Sequence, residues 1–403
     1  MFKNKVLYIS LTGMTEPLGR SQVLEYLFDL SKEYEYYLIS FERASDLNNI
    51  DEIKELLKDY NIKWSYLIYS NKYGVFSTIF QIFQVIFLGL NIAKKNKINI
   101  IHARSFIPTT IGLIIKKFTK AKLLFDIRGF AIDEKIDSGR LNTSSFLFNI
   151  LKRWDNYLYK KSDHIVTLTK NAKTVLITKL DITEEKITII PTCTNKNIFK
   201  VISEEEKQDF KKYQGFDIND IILIHTGTVL NRYDFDKEIE LFKHLNSLNK
   251  NFKFLILNKG EHNYIKSRFD TFGIDSNNYK IISVIFDNVY KYLNIANFSL
   301  FFIPPSFAKQ AMAPTKFAEN IACHLPSITN IGVGDMEYYM NQYDVGHIVD
   351  LNNFDNKKIC NMILDSINKK YSDKVFDELY EKFFNKDSAV LRYQSIYTLL
   401  NNK

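Results

Sequence analysis

Cysteine is scarce in this 403-residue chain: Cys193, Cys323 and Cys360 lie far apart, and no C-x-x-C pair occurs. That spacing excludes a disulfide framework and a cysteine-built zinc cluster. The chain also lacks a G-x-G-x-x-G fingerprint and a G-x-x-x-x-G-K-[ST] phosphate loop. It has no arginine-rich stripe or nucleic-acid module, so nucleic acid is not an expected partner. No low-complexity tract or short-period repeat is visible. The first residues, Met1 to Lys5, pass straight into a short strand without the pattern of a secretory signal, and a reducing, cytoplasmic setting is expected. The net charge of +8 is modest and suits an anionic membrane surface or a diphosphate ligand.

What the chain does have is apolar bulk. Phe (32) and Tyr (24) are abundant, enough for large cores, and the length allows two domains. Short apolar runs alternate with helical patterns: Val6–Ser10, Tyr36–Phe41, Lys63–Tyr69, Ile98–Ala103, Lys122–Asp126 and His164–Leu168 read as strands. This alternation predicts parallel βαβ units, an α/β fold. A charged stretch from Lys196 to Gly215 carries no strand pattern. After it the alternation restarts at Ile221–His225, which places a domain boundary near residue 200.

The most apolar segment runs from Val75 to Leu90. It is too short and interrupted to read as a membrane span. Ser77, Gln81 and Gln84 share one helical face, Phe76, Phe80, Phe83 and Phe87 the other, and Lys94, Lys95 and Lys97 follow. Two readings stand: an amphipathic helix touching the cytoplasmic leaflet, or the crossover helix that the next strand requires.

In an open α/β sheet, ligands sit beyond the carboxyl ends of strands. His102, Arg104, Asp126 and Arg128 fall at such ends, followed by the acidic Asp133 and Glu134. The loop Thr12–Arg20, with Gly13 and Gly19, either cradles a phosphate before a helix starting at Ser21 or merely turns the chain. In the second half, Gly227 and Thr228 follow a strand, with Arg232 downstream as a basic candidate. Asp234 and Asp236 form a D-x-D pair directly before a helix. They are read as helix N-terminal acids, and no metal is expected.

The densest constellation is residues 301–335, FFIPPSFAKQAMAPTKFAENIACHLPSITNIGVGD. A strand, a proline-bounded loop, a helix opened by Pro314 and a glycine turn follow in that order. This run resembles the nucleotide-sugar segment of family-4 glycosyltransferases of the GT-B fold. A similar turn at Pro191–Asn195 and the Asp126–Glu134 stretch extend the resemblance, which covers nearly the whole chain. It implies two Rossmann-like α/β domains facing across a cleft. Residues 1–198 would form the acceptor-side domain, residues 199–385 the donor domain, and 386–403 a C-terminal helix crossing back to the first.

The resemblance also implies roles. Gly19, Gly227, Thr228, Arg232, Lys309, Ala313, Pro314, Thr315, Lys316 and Glu319 would bind the donor, with Glu319 on the ribose hydroxyls. His102, Asp126 and Arg128 would be catalytic, and Arg104, Asp133 and Glu134 would meet the acceptor. Two departures stand out. Where many relatives carry a second Glu, this chain has Ala311, and Arg128 stands where many carry a His. The implied activity is retaining transfer of a sugar from a nucleotide-sugar donor to a glycan or lipid-linked saccharide, in polysaccharide or lipopolysaccharide assembly. No cofactor is expected, and a peripheral contact with the inner membrane is. A nucleotide-sugar epimerase on the same fold and a non-enzymatic sugar-binding protein are the alternatives.

Overall fold

The computed structural model describes residues 4–402 apart from 71 and 231, so the first residues of the N-terminal reading lie outside it. The chain divides into two compact units: Met1–Pro191 with Lys386–Lys403, and Thr192–Asn385. Each is an α/β unit built on one wholly parallel sheet.

In the first unit the strands are β1 (Lys5–Ser10), β2 (Glu35–Glu42), β3 (Ile62–Ile68), β4 (Ile100–Arg104), β5 (Lys122–Asp126), β6 (His164–Thr167) and β7 (Ile187–Ile189). Their order is β3-β2-β1-β4-β5-β6-β7. In the second, β8 (Ile221–Thr226), β9 (Phe252–Leu257), β10 (Tyr279–Ile282), β11 (Phe298–Leu300), β12 (Ser327–Asn330) and β13 (Gly346–Val349) are arranged β10-β9-β8-β11-β12-β13. The central strands are continuous apolar runs because helices cover both faces. Val6, Leu7 and Ile9 of β1 and Ile222, Leu223 and Ile224 of β8 are fully buried. In each sheet the strand order reverses beside the first strand of the unit, between β1 and β4 and between β8 and β11. A reversal point opens a crevice beyond the strand ends.

The long apolar segment forms a helix, Val75–Asn96, that crosses from β3 to β4. The C-terminal helix, Lys386–Asn402, packs within the first unit. Lys386 Nζ lies 2.7 Å from Asp29 and 3.8 Å from Glu25, and Arg392 donates to the Ile189 carbonyl at 3.2 Å.

The loop expected at Thr12–Arg20 is shorter than its glycines suggest. Helix begins at Pro17–Gly19, continues through a π-helical turn at Arg20–Leu24 and ends as Glu25–Leu30. Gly19 is therefore a helical residue. It is buried so close to the Gly13 carbonyl that a Cβ would stand 1.9 Å from its oxygen. Close packing against Gly13 requires glycine there.

The Phe146–Lys161 helix buries one acid, Asp155. Its Oδ2 accepts from the Tyr159 hydroxyl at 3.1 Å, and its Oδ1 has no hydrogen-bond partner among the described residues. Burial pushes this carboxyl up to about 7, against the pull of Lys152. A raised acid pKa means the folded state holds a proton that the unfolded state releases, so stability falls as pH rises from the ordinary Asp range to about 7. Asp155→Asn should therefore raise Tm at about pH 8 and change it much less near about pH 5. Thermal melts at both pH values check this, and an equal effect at the two would exclude titration of Asp155 as the cause.

Candidate active site

In the second unit, the reversal point between β8 and β11 is lined by the end of β8, the turn after it and the helix Thr315–Ala322. That helix begins immediately after Pro314, whose ψ of 120° sets extended backbone at the N-cap. No side chain caps its first amides, which leaves the first turn to accept an anion. Thr192 donates its hydroxyl to the Ala313 carbonyl at 2.9 Å and so holds the entry to the helix.

The interior of this site is a polar chain. His225, at the end of β8, is fully buried, with Nδ1 2.7 Å from Glu238 Oε2. Glu238 Oε1 accepts from the Phe302 amide at 3.0 Å. The acceptor Glu238 assigns a proton to His225 Nδ1. The other nitrogen, Nε2, lies 3.0 Å from the Thr228 carbonyl and 3.2 Å from Lys316 Nζ. Lys316 thereby joins the helix start to the Gly227–Thr228 turn. Its amino group also sits 3.7 Å from the centroid of the Tyr233 ring, a cation–π contact. Burial lowers its pKa to about 7, while Glu238 and Glu319 oppose the shift.

Glu319, one turn further along, is partly exposed. Among the described residues its carboxylate has no hydrogen-bond partner. Burial of the helix face raises its pKa to about 7, with Lys316 pulling it down. Arg232 is exposed, and both it and Glu319 act electrostatically on the half-buried Tyr233 phenol, which places all three together.

The turn after β8 is held by Asn258 and Glu261, which sequence reasoning passed over. Gly227 has φ 93°. Its carbonyl accepts from Asn258 Nδ2 at 3.0 Å. Glu261 accepts from the Thr228 hydroxyl at 2.5 Å, the Val229 amide at 2.8 Å and Asn258 Nδ2 at 2.7 Å. Burial disfavours its charge, but these donors outweigh that and hold its pKa below the usual range. Thr228 thus has its hydroxyl occupied by the fold. Lys309 lies on a short 3-10 turn, Ala308–Ala311, and its carbonyl accepts from the Gly334 amide at 2.8 Å, tying the two expected loops together. Ala311, at the position of the missing Glu, is fully buried. The D-x-D pair is structural: Asp234 caps its helix through the Lys237 amide at 3.3 Å, and Asp236 takes two hydrogen bonds from Arg268 at 2.8 and 2.7 Å.

The first unit gathers a different set at its own reversal point. Tyr36 donates to the Tyr397 hydroxyl at 3.1 Å, and Tyr397 lies 2.7 Å from His102 Nδ1. His102 Nε2 lies 3.4 Å from Asp126 Oδ2, which the Tyr393 hydroxyl also approaches at 3.4 Å. An ionised Asp126 puts the imidazole proton on Nε2, so the Tyr397 hydroxyl donates to Nδ1. Burial lowers the His102 pKa despite Asp126, and Arg128 and His102 hold Asp126 low against its own burial. Both side chains are enclosed among these partners. They fasten the C-terminal helix to β4 and β5.

The cations of this cluster stand nearer its edge. Arg128 reaches Asp126 at 3.5 Å and Gln22 at 3.4 Å, and Arg104 reaches Thr12 at 3.3 Å with its Nε unpartnered among the described residues. Asp133 is paired with Lys152, so its carboxylate is already engaged. The Glu134 carboxylate lies over Gly129, whose φ of 152° disfavours a side chain there. Tyr393, Tyr397 and Gln22 were not legible as members, because they come from distant segments.

Residues 31–197 match the family model described as Glycosyltransferase Family 4. The match covers most of the first unit and less than half of the chain, and it shows a likeness to that family there. No curated protein matches the chain. Among solved structures it is similar along nearly its whole length to a glycosyltransferase from Rickettsia africae, with 17% identity, TM-score 0.71 and coverage of 99% of this chain and 98% of that one. It is also similar to sucrose-phosphate synthase from Thermosynechococcus elongatus, with 12% identity, TM-score 0.72 and 99% of both chains covered. A third is Anabaena HepE in complex with UDP-glucose, with 13% identity, TM-score 0.70 and coverage of 98% and 99%. These likenesses establish the fold, and it is GT-B.

The Tyr36–Tyr397–His102 chain yields a stability test. Tyr397→Phe leaves His102 Nδ1 and the Tyr36 hydroxyl buried without each other's link, and should cost roughly 1–3 kcal/mol in denaturant unfolding. A variant as stable as the parent would show that these bonds do not hold the C-terminal helix.

Proposed function

We propose that the protein transfers a sugar from a nucleotide-sugar donor, with retention of configuration, to a glycan or lipid-linked saccharide acceptor. The observation that carries this reading is the start of the Thr315–Ala322 helix at the β8/β11 reversal point. It presents uncapped amides, the Lys316 amino group and the partnerless Glu319 carboxylate within one turn. Amides and a cation suit a diphosphate, and a carboxylate suits a ribose diol. The HepE structure, with UDP-glucose, supports a nucleotide-sugar donor on this fold. The assignment to surface-polysaccharide or lipopolysaccharide assembly follows the P-T-K-x-x-E form of residues 314–319.

In the proposed step the bond from the sugar's anomeric carbon to the diphosphate oxygen breaks, and a bond from that carbon to an acceptor hydroxyl oxygen forms. The acceptor proton passes to the departing diphosphate. Negative charge grows on that leaving group, so stabilisation there lowers the barrier. Lys316, Arg232 and the first helix amides would supply it, and Glu319 would hold the nucleoside in register. On the first unit, Arg104 and Arg128 are the groups proposed to meet the acceptor. No step requires a metal or cofactor. Peripheral attachment to the cytoplasmic face of the membrane would suit a lipid-linked acceptor.

Glu319→Ala should weaken nucleoside-diphosphate binding roughly tenfold to a hundredfold, the worth of hydrogen bonds to a charged group, with the melting transition preserved. Calorimetric titration with UDP and GDP checks this, and unchanged affinity would remove Glu319 from the site. Release of free nucleotide from a donor panel with glycan acceptors tests the reaction itself. Sugar inversion without acceptor would establish the epimerase instead.

Affinity should also depend on pH in a defined way. Lys316 is charged below about 7 and Glu319 is ionised above about 7, so binding peaks near neutrality. Lys316→Met should lose the alkaline fall and Glu319→Gln the acidic one. A wild-type profile lacking both limbs would show that neither group touches the nucleotide.

A further inference from the structure

Four phenylalanines face outward from the Val75–Asn96 helix. Phe76, Phe80, Phe83 and Phe87 are 81%, 64%, 65% and 77% exposed. Their spacing places them in a single row. The buried strip is the opposite one: Gln81, Val85, Gly89 and Ala93. Gln81 donates to the Ile68 carbonyl at 2.9 Å, and a Cβ on Gly89 would come within 2.5 Å of the Ile115 side chain. Small and polar residues thus point into the unit while the largest apolar ones point out, the reverse of a helix whose outer face meets water. A contiguous exposed patch of this kind marks a contact with something apolar.

Charge identifies the contact. The helices Val75–Asn96, Phe106–Lys117 and Phe146–Lys161 pack side by side in that order. Across all three the only acidic side chain is Asp155, and it is buried. Past the aromatic row, about 10 Å further along the helix from Phe87, lies a recess of about 430 Å³. Lys94, Lys97, Lys120 and Lys122 line it beside the exposed Phe118. Basic recesses next to apolar ground match lipid phosphates beside acyl chains. The helix is long and apolar enough to cross a membrane. Its buried strip is packed on its own unit, however, so crossing would strip one face of the sheet. Lying in the plane of the interface keeps that packing.

We propose that this face of the first unit docks in plane onto an anionic phospholipid bilayer, with the phenylalanine row entering the headgroup–acyl boundary and the lysine recess taking lipid phosphates. The proposal gives the membrane contact a surface and a lipid class, and its test needs no glycosyl transfer, so its outcome is independent of the donor reading.

The test is co-sedimentation of the whole protein with vesicles of phosphatidylcholine, alone or mixed with phosphatidylglycerol. Binding is expected to the mixed vesicles and to be much weaker to the neutral ones. Phe80→Ser with Phe83→Ser should weaken it on the order of tenfold or more. Replacing Lys94, Lys97 and Lys120 by Gln should weaken it roughly fivefold per lysine, less at high salt. All five positions are exposed, so the melting transition and UDP affinity should not move. Absence of binding to the mixed vesicles, equal binding to neutral ones, or parental binding by the phenylalanine variant would overturn the proposal. So would resistance of the membrane-bound protein to alkaline carbonate, which indicates a span. A concentration-dependent dimer that Phe80→Ser abolishes, with no vesicle binding, would assign the face to a second copy of the chain.

Discussion

A parallel sheet buried on both faces leaves little polar ground except at the carboxyl ends of its strands, where backbone must turn into helix. Every strand described here pairs in parallel, so this constraint acts twice, once in each unit. Asp126 ends β5 beside His102 in the neighbouring β4, and His225 is the penultimate residue of β8. Two polar clusters lie near the points where strand order reverses, where the fold can hold ionisable groups at the ends of buried strands.

The two collections are put to different use. In the first unit the polar chain is satisfied from within: each of Tyr36, Tyr397, His102 and Asp126 finds a partner in another segment. Such a network fixes the C-terminal helix, and it leaves little capacity for a ligand. In the second unit the chain from Glu238 through His225 ends at Lys316, and the next acid, Glu319, is left over. A lysine whose charge is made costly by burial and a carboxylate without a donor are groups whose energy improves when an anion and a diol arrive.

Much of this was legible in the sequence, for a local reason. Pro314 sets the helix start, and Lys316 and Glu319 follow at fixed helical offsets, so their placement needs no tertiary information. The α/β alternation is equally local. What escaped was non-local. Glu261 meets Thr228 from 33 residues away, and Tyr397 meets His102 from 295 away. No periodicity encodes such pairs. The helix start was read too late because a glycine between loop-like residues looks permissive, yet Pro17 had already opened the helix, and Gly19 approaches Gly13 closely.

The Val75–Asn96 helix shows a subtler limit. Of the polar face read from periodicity, Gln81 is buried but Gln84 is exposed like the phenylalanines, and a periodic pattern says nothing of which face turns inward. The usual assumption, apolar face to the core, fails because the inner strip must pass close over the sheet and the neighbouring helix. Gly89 and Ala93 permit that approach, and a row of phenylalanines would hold the helix away. Close packing therefore dictates the inner face by size, not by polarity. The aromatic row is left outside, and the absence of exposed acids on the neighbouring helices sets the sign of what it can meet. Shape constrains the inside of this layer and charge the outside, and only the second bears on function.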